Sequence, residues 1–139
     1  MRKVFSLSLL ILSISLLSAC GNSEGSTLNQ ISEDEVKEIY DGEKNGYFVA
    51  AKSVDESYFE TLEEVLEENG EEAYIYNTYQ PEGKDTELVD KQKFDLANRF
   101  DRNKLYYIED GEMSEPIRLQ SLTGIELAEQ IQAYIDTHK

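Results

Sequence analysis

Tyr47-Phe48-Val49-Ala50-Ala51 is five residues long and contains no charged or amide side chain. A strand turns alternate side chains to opposite faces, so a run like this is apolar on both. Such a strand belongs in a sheet covered on each side, the setting of parallel sheets flanked by helices. The rest of the chain supplies the cover. Ser32 with Glu35 has the spacing of a capping box, and Val36, Ile39 and Tyr40 follow at helical intervals. Asp41 to Gly46 is a turn cluster. Beyond the apolar run, Asp55 is placed to cap a helix whose stripe is Tyr58, Phe59, Leu62, Val65 and Leu66, ended by Asn69-Gly70. A second strand is expected over Ala73 to Tyr79, then a polar loop from Gln80 to Glu87. A third helix is predicted over Val89 to Phe100, with Phe94, Ala97 and Phe100 inward. Lys104 to Ile108 reads as a strand, Glu109-Asp110-Gly111-Glu112 as a hairpin turn, and Met113 to Leu119 as an edge strand because of Pro116. Thr123 with Glu126 opens a closing helix carrying Leu127, Ile131, Tyr134 and Ile135. The expected class is α/β, a mixed sheet with helices on both faces and a C-terminal hairpin plus helix.

Charge and reactive residues narrow the function. Against 13 Lys+Arg stand 29 Asp+Glu, a net charge of −16. A nucleic-acid binder needs a basic patch, so no nucleic-acid partner is expected. The chain has one Cys, Cys20, and one His, His138. A disulfide framework, a Cys/His zinc site and a Cys–His nucleophile pair are all excluded.

At the N-terminus, Arg2 and Lys3 precede an uncharged, largely apolar stretch from Val4 to Ala19. Spanning a bilayer takes about 20 apolar residues, so the stretch suits a signal-peptide core better than a permanent anchor. It ends Leu17-Ser18-Ala19-Cys20-Gly21. That ending resembles the lipobox of bacterial lipoproteins. The resemblance implies that the Cys20 thiol receives a diacylglyceryl group and becomes the first mature residue. It implies a signal peptide over 1–19 and a protein anchored by lipid to the cell membrane, facing outside the cytoplasm. Removing residues 1–19 takes away Arg2 and Lys3 and no acid. The remaining 120 residues then carry 11 basic and 29 acidic side chains, a net −18. Two acyl chains hold a protein stably on a bilayer, and an acidic body is repelled by anionic head groups. Residues 20–30 read as the lipidated Cys and a Gly/Ser-rich flexible tether, and residues 31–139 as the folded domain.

The order of elements from Ile31 to Lys139 looks like the thioredoxin fold, a three-layer sandwich. Lys104 to Glu112 resembles the strand of that fold that ends in an Asn-Gly or Asp-Gly turn. The segment from Ser121 onward resembles its closing helix. Tyr47 to Ala51 and the helix containing Leu62-Glu63-Glu64-Val65-Leu66 are similar to its first core strand and active-site helix. The family carries a Cys-x-x-Cys between that strand and helix; here the matching residues are Lys52-Ser53-Val54-Asp55. Without a thiolate there is no attack on a disulfide. The position of the family's cis-proline falls near Asn103. Both departures point away from redox catalysis.

Other chemistries have candidates but weaker grounds. Lys52 and Ser53 could form a Ser–Lys nucleophile pair at a helix N-terminus, with Asp55 nearby; the simpler reading is that Ser53 and Asp55 cap the helix and Lys52 is solvated. Asp41 to Gly46 mimics the first half of a calcium loop, yet the position that needs a bidentate Glu is Lys52. Glu63-Glu64, Glu67-Glu68 and Glu71-Glu72 form a solvated acidic face or a loose cation-binding one. Tyr74, Tyr76, Tyr79, Tyr106 and Tyr107 are either a binding surface or core and cross-strand pairs. No catalytic, metal or cofactor residue is assigned; the assigned modification is lipidation of Cys20. The function expected is a lipid-anchored binding or scaffolding module with a redox-inactive thioredoxin-like fold, its partner an envelope or exported protein. The alternatives are an enzyme or accessory of exported-protein or cell-envelope maturation using residues around Lys52 to Asp55, and an immunity-type lipoprotein.

Overall fold

The computed structural model describes residues 26–93 and 100–139. The elements are β1 (Leu28–Ile31), α1 (Glu33–Tyr40), β2 (Gly46–Ala51), α2 (Tyr58–Asn69), β3 (Ala73–Asn77), β4 (Lys104–Glu109), β5 (Glu112–Met113), β6 (Ile117–Arg118) and α3 (Gly124–Thr137). The fold is α/β with a mixed sheet in the order β1-β3-β2-β4-β5, and β6 also pairs with β4. Both β1 and β2 run parallel to β3; β4 is antiparallel to β2, β5 and β6.

Two-sided burial of β2 follows from its sequence. Tyr47, Val49 and Ala51 join the core under α2 and α3 with Leu62, Leu66, Ile131 and Ile135. Phe48 and Ala50 join the opposite core with Val36 and Ile39 of α1, Tyr76 and Phe100. Of the described helices, α1 therefore covers one face of the sheet, and α2 and α3 cover the other. Among the described residues, every member of both clusters lies between Leu28 and Ile135, so the segment from Ser26 onward holds both.

The caps differ from one helix to the next. Ser32 and Glu35 form the expected box: the Glu35 N–H donates to Ser32 Oγ at 3.4 Å and the Ser32 N–H to Glu35 Oε2 at 2.9 Å. Helix α2 starts at Tyr58 with Ser57 as its N-cap, so Asp55 does not cap it. Thr123 is the N-cap of α3 and makes no side-chain cap bond. Gly70 closes α2 in the left-handed conformation at φ +67°.

Three other expectations change. The tether expected over residues 20–30 gives up Leu28 to Gln30, which belong to β1 at the edge of the sheet. The strand expected from Met113 to Leu119 is two short pieces, β5 and β6, interrupted at Ser114 to Pro116. The helix predicted over Val89 to Phe100 is irregular at Val89 to Lys93. There the Val89 N–H donates to the Tyr79 carbonyl and the Lys93 N–H to the Thr78 carbonyl, 2.8 and 2.9 Å, fastening the loop to the end of β3. Phe94 and Ala97 lie outside the described residues, whereas Phe100 is buried against Phe48 with ring centroids 4.8 Å apart.

Candidate functional site

In open α/β sheets the loops beyond the carboxyl ends of the parallel strands are the usual place for a site. Here those loops are residues 52–57 after β2 and the segment after β3, with the entry to β4 at Asn103 beside them. The 52–57 loop follows Ala51, the fully buried last residue of β2. Its carbonyl accepts from the Thr78 N–H at 2.9 Å and from Thr78 Oγ1 at 3.2 Å, so the starts of the two loops are tied together.

Within the loop, the Asp55 N–H donates to Ser53 Oγ at 3.0 Å, and Ser53 Oγ donates to Asp55 Oδ2 at 3.3 Å. The serine's proton and one of its lone pairs are both engaged in this local turn. Lys52 is exposed, and no ion pair reaches it among the described residues. A lysine acting as base to a serine must lie within hydrogen-bond reach of it; Ser53 is bonded to Asp55 instead.

Asn103 holds the adjoining corner. Its backbone is left-handed at φ +60°. Its N–H donates to the Ala50 carbonyl at 2.8 Å, its carbonyl accepts from the Leu119 N–H at 3.0 Å, and its Oδ1 accepts from the Tyr58 hydroxyl at 2.8 Å. One residue thus joins β2, the first turn of α2 and the segment leading to α3. Tyr58 is buried, and burial pushes its hydroxyl well above the usual tyrosine range, with Glu56 adding to the effect. The phenol therefore stays protonated and serves as a donor. From the sequence, Tyr58 reads only as part of an apolar stripe. What could have distinguished it is its hydroxyl: a buried tyrosine needs a partner that a phenylalanine does not.

Two hollows flank the loop. One, about 210 Å³, is walled by Leu28, Val54, Phe59 and Ile75, with Lys84 at its margin. The other, about 420 Å³, lies between the first turns of α2 and α3 and is lined by Tyr58, Leu119, Leu122 and Leu127 with Ser57 and Thr61. Val54, in the wall of the smaller hollow, is 43 % exposed.

The remaining candidates separate. Cys20 lies outside the described residues. Asp41 to Gly46 is the turn between α1 and β2; Lys44 pairs there with Glu38 at 2.7 Å and Glu35 at 3.2 Å, and Asn45 Oδ1 accepts from the Asp110 N–H at 2.9 Å. Among the described residues no group of three His, Cys, Asp or Glu side chains is arranged to hold a metal ion. The tyrosines do not share a surface. Tyr107 packs on Tyr47 at 5.1 Å under α3, whereas Tyr74, Tyr76 and Tyr106 belong to the α1 side. The His138 ring lies tilted against Tyr134 and Tyr107, with centroids 4.4 and 4.9 Å apart. No helix among the described residues is long and apolar enough to cross a membrane. The chain matches no protein-family model, and no curated protein is significantly similar to it.

Proposed function

We propose that this chain is a lipid-anchored, extracytoplasmic binding or scaffolding module built on a redox-inactive thioredoxin-like fold. Support for the fold comes from the sheet order β1-β3-β2-β4-β5, with β1, β3 and β2 parallel and β4 reversed. Support for binding rather than redox work comes from one observation above the others. The corner where the resemblance places a dithiol and a cis-proline is occupied by Ser53 bonded to Asp55 and by Asn103 bonded to Tyr58. Neither pair offers a nucleophile with a free base, whereas the smaller hollow beside them offers apolar walls for a partner's side chains and the larger one sets Leu119, Leu122 and Leu127 among polar groups. The lipobox supports the location.

The test has two arms. Cys20→Ser in the full chain is expected to abolish lipid attachment, shown by mass, and to move the protein out of the detergent phase or leave its leader uncut. Full partitioning of the variant with membranes and retention of the lipid mass would overturn the anchor. The segment from Ser26 to Lys139, which has no cysteine, is expected to leave insulin disulfides intact. Turnover there would overturn the redox-inactive reading.

A further inference from the structure

The two sides of the sheet treat their acids differently. On the α1 side, Lys37, Lys44 and Lys93 pair with Glu33, Asp34, Glu35, Glu38 and Glu82. The remaining ion pair, Lys104 with Asp101, sits at the entry to β4. None of these pairs involves α2 or α3. Helix α2 carries five glutamates between Glu60 and Glu68, α3 carries Glu126, Glu129 and Asp136, and neither holds a Lys or Arg. Lys139, nearby in the chain, donates to Asn69 Oδ1 at 2.6 Å rather than to a carboxylate.

A groove of about 380 Å³ runs between these helices. Its floor is apolar: Val65, Ala128 and Ala133. Its walls carry Glu68, Glu129 and Asp136 beside Gln132. Small floor residues leave room for an incoming side chain. Among the described residues no ion pair reaches the acids at the rim, although Asp136 Oδ1 accepts from Gln132 Nε2 at 2.9 Å. Gln132 is held in place by Asn69, with which it exchanges two hydrogen bonds of 2.6 and 3.0 Å across the helices.

We propose that the α2–α3 groove docks a basic amphipathic segment of a partner protein, an apolar side chain on the Val65–Ala133 floor and Lys or Arg side chains on Glu68, Glu129 and Asp136. Charge complementarity selects this occupant. A second copy of the chain would bring the same uncompensated carboxylates face to face, and like charges juxtaposed in an interface are strongly unfavourable. An acidic or anionic partner fails for the same reason. Complementary fields raise the association rate most at low salt, so binding is expected to weaken steeply as salt rises. The proposal names the partner chemistry of the binding module but does not depend on the anchor. It is measured on the soluble segment, while the anchor is measured on fractionated cells, so either can fail alone.

The probe is a fluorescein-labelled peptide of repeating Lys-Leu-Ala units, titrated into the Ser26–Lys139 segment in dilute buffer and followed by anisotropy. Saturable binding is expected, weakened at least about tenfold by Glu68→Lys with Glu129→Lys, two exposed positions whose reversal leaves the core untouched. The reference variant, Glu43→Lys with Glu87→Lys, makes the same change of charge at exposed positions that do not line the groove and is expected to bind within about threefold of the unaltered segment. A peptide with Ser in place of Leu is expected to bind at least about tenfold more weakly. Equal losses in the two double variants would mean attraction by net charge alone and overturn the groove, as would undiminished binding of the Ser peptide. Displacement of the peptide by micromolar calcium would make the site a cation site, and a dimer dissolved by the groove variant would make it a self-contact; either overturns the proposal.

Discussion

Asn103 shows how much structure one side chain can gather. Its left-handed backbone suits Asn better than most residues, because a short amide side chain tolerates that region. The amide oxygen then meets the buried Tyr58 hydroxyl. Removing the hydroxyl leaves that oxygen without its donor, a loss of about 1–3 kcal/mol. Tyr58→Phe is therefore expected to destabilise the segment by roughly that amount in urea melts at neutral pH. The variant also carries a pH signature. Burial raises the Tyr58 hydroxyl above the usual tyrosine range and pushes Tyr47 up to about 12. A phenol whose pKa is higher folded than unfolded stabilises the fold fully below the unfolded value, near 10, and less as pH climbs toward the folded value. Stability is thus expected to fall from about pH 10 upward, and less steeply in Tyr58→Phe. Equal slopes for the variant and the unaltered segment would remove Tyr58 from the alkaline transition. None of this pairing was legible in the sequence, where the two residues stand 45 positions apart and neither spacing nor composition links them.

At the scale of elements, sequence and structure agree where local chemistry decides and part where tertiary contacts do. The Ser32–Glu35 box sets the start of α1, and Asp110-Gly111 sets the hairpin with both residues at positive φ, 51° and 80°. These are short-range signals with a physical mechanism. Strand β1 is different. Leu28-Asn29-Gln30 has two amides and a single apolar side chain, so it reads as the end of the tether, with the domain opening at Ile31. It is a strand because Ala73 to Tyr76 offers it a parallel partner. The Val89 to Lys93 stretch has helical spacing, yet its N–H groups go to the end of β3. Ser53 and Asp55 sit in the loop that the sequence indicates, though they make a turn rather than the helix cap. The hairpin supplies the prediction at this scale. A Cβ built on Gly111 would stand 2.6 Å from the Tyr40 carbonyl oxygen, at φ +80°. Gly111→Ala must therefore strain its backbone and push the turn off the end of α1. A cost of about 2 kcal/mol or more is expected, from the left-handed strain and the contact together. A thermal melt within a degree or so of the unaltered protein would show that the turn moves away freely.

The whole molecule is held against its own charge. Its six described ion pairs have at least one strongly exposed partner each, and pairs of that kind contribute little. Among the described residues, none of them reaches α2 or α3. Along α2, Glu60, Glu64 and Glu68 follow one another at four-residue intervals, as do Glu63 and Glu67. Like charges at that spacing destabilise a helix by about 0.2–0.5 kcal/mol per pair, and opposite charges stabilise it by a similar amount. Glu64→Lys replaces two repulsions, with Glu60 and Glu68, by two attractions. It also lowers a net charge of −16 in the full chain, which relaxes the repulsion of the body as a whole. Glu64 is exposed, so the substitution disturbs no packing. In dilute buffer it is expected to raise the melting temperature by several degrees, the shift that about 1 kcal/mol brings in a domain of this size. Salt must then erase the difference. Screening acts over about 10 Å at 0.1 M and 3 Å at 1 M, so molar sodium chloride should raise the unaltered segment more than the variant, which keeps most of the negative charge, and close the gap between them. Millimolar calcium is expected to give the unaltered segment a smaller, non-saturating gain, through weak bridging of neighbouring carboxylates. A melting temperature that is flat across the salt series, or a Glu64→Lys gain that persists in molar salt, would mean that the carboxylates of α2 are too well hydrated to repel one another appreciably.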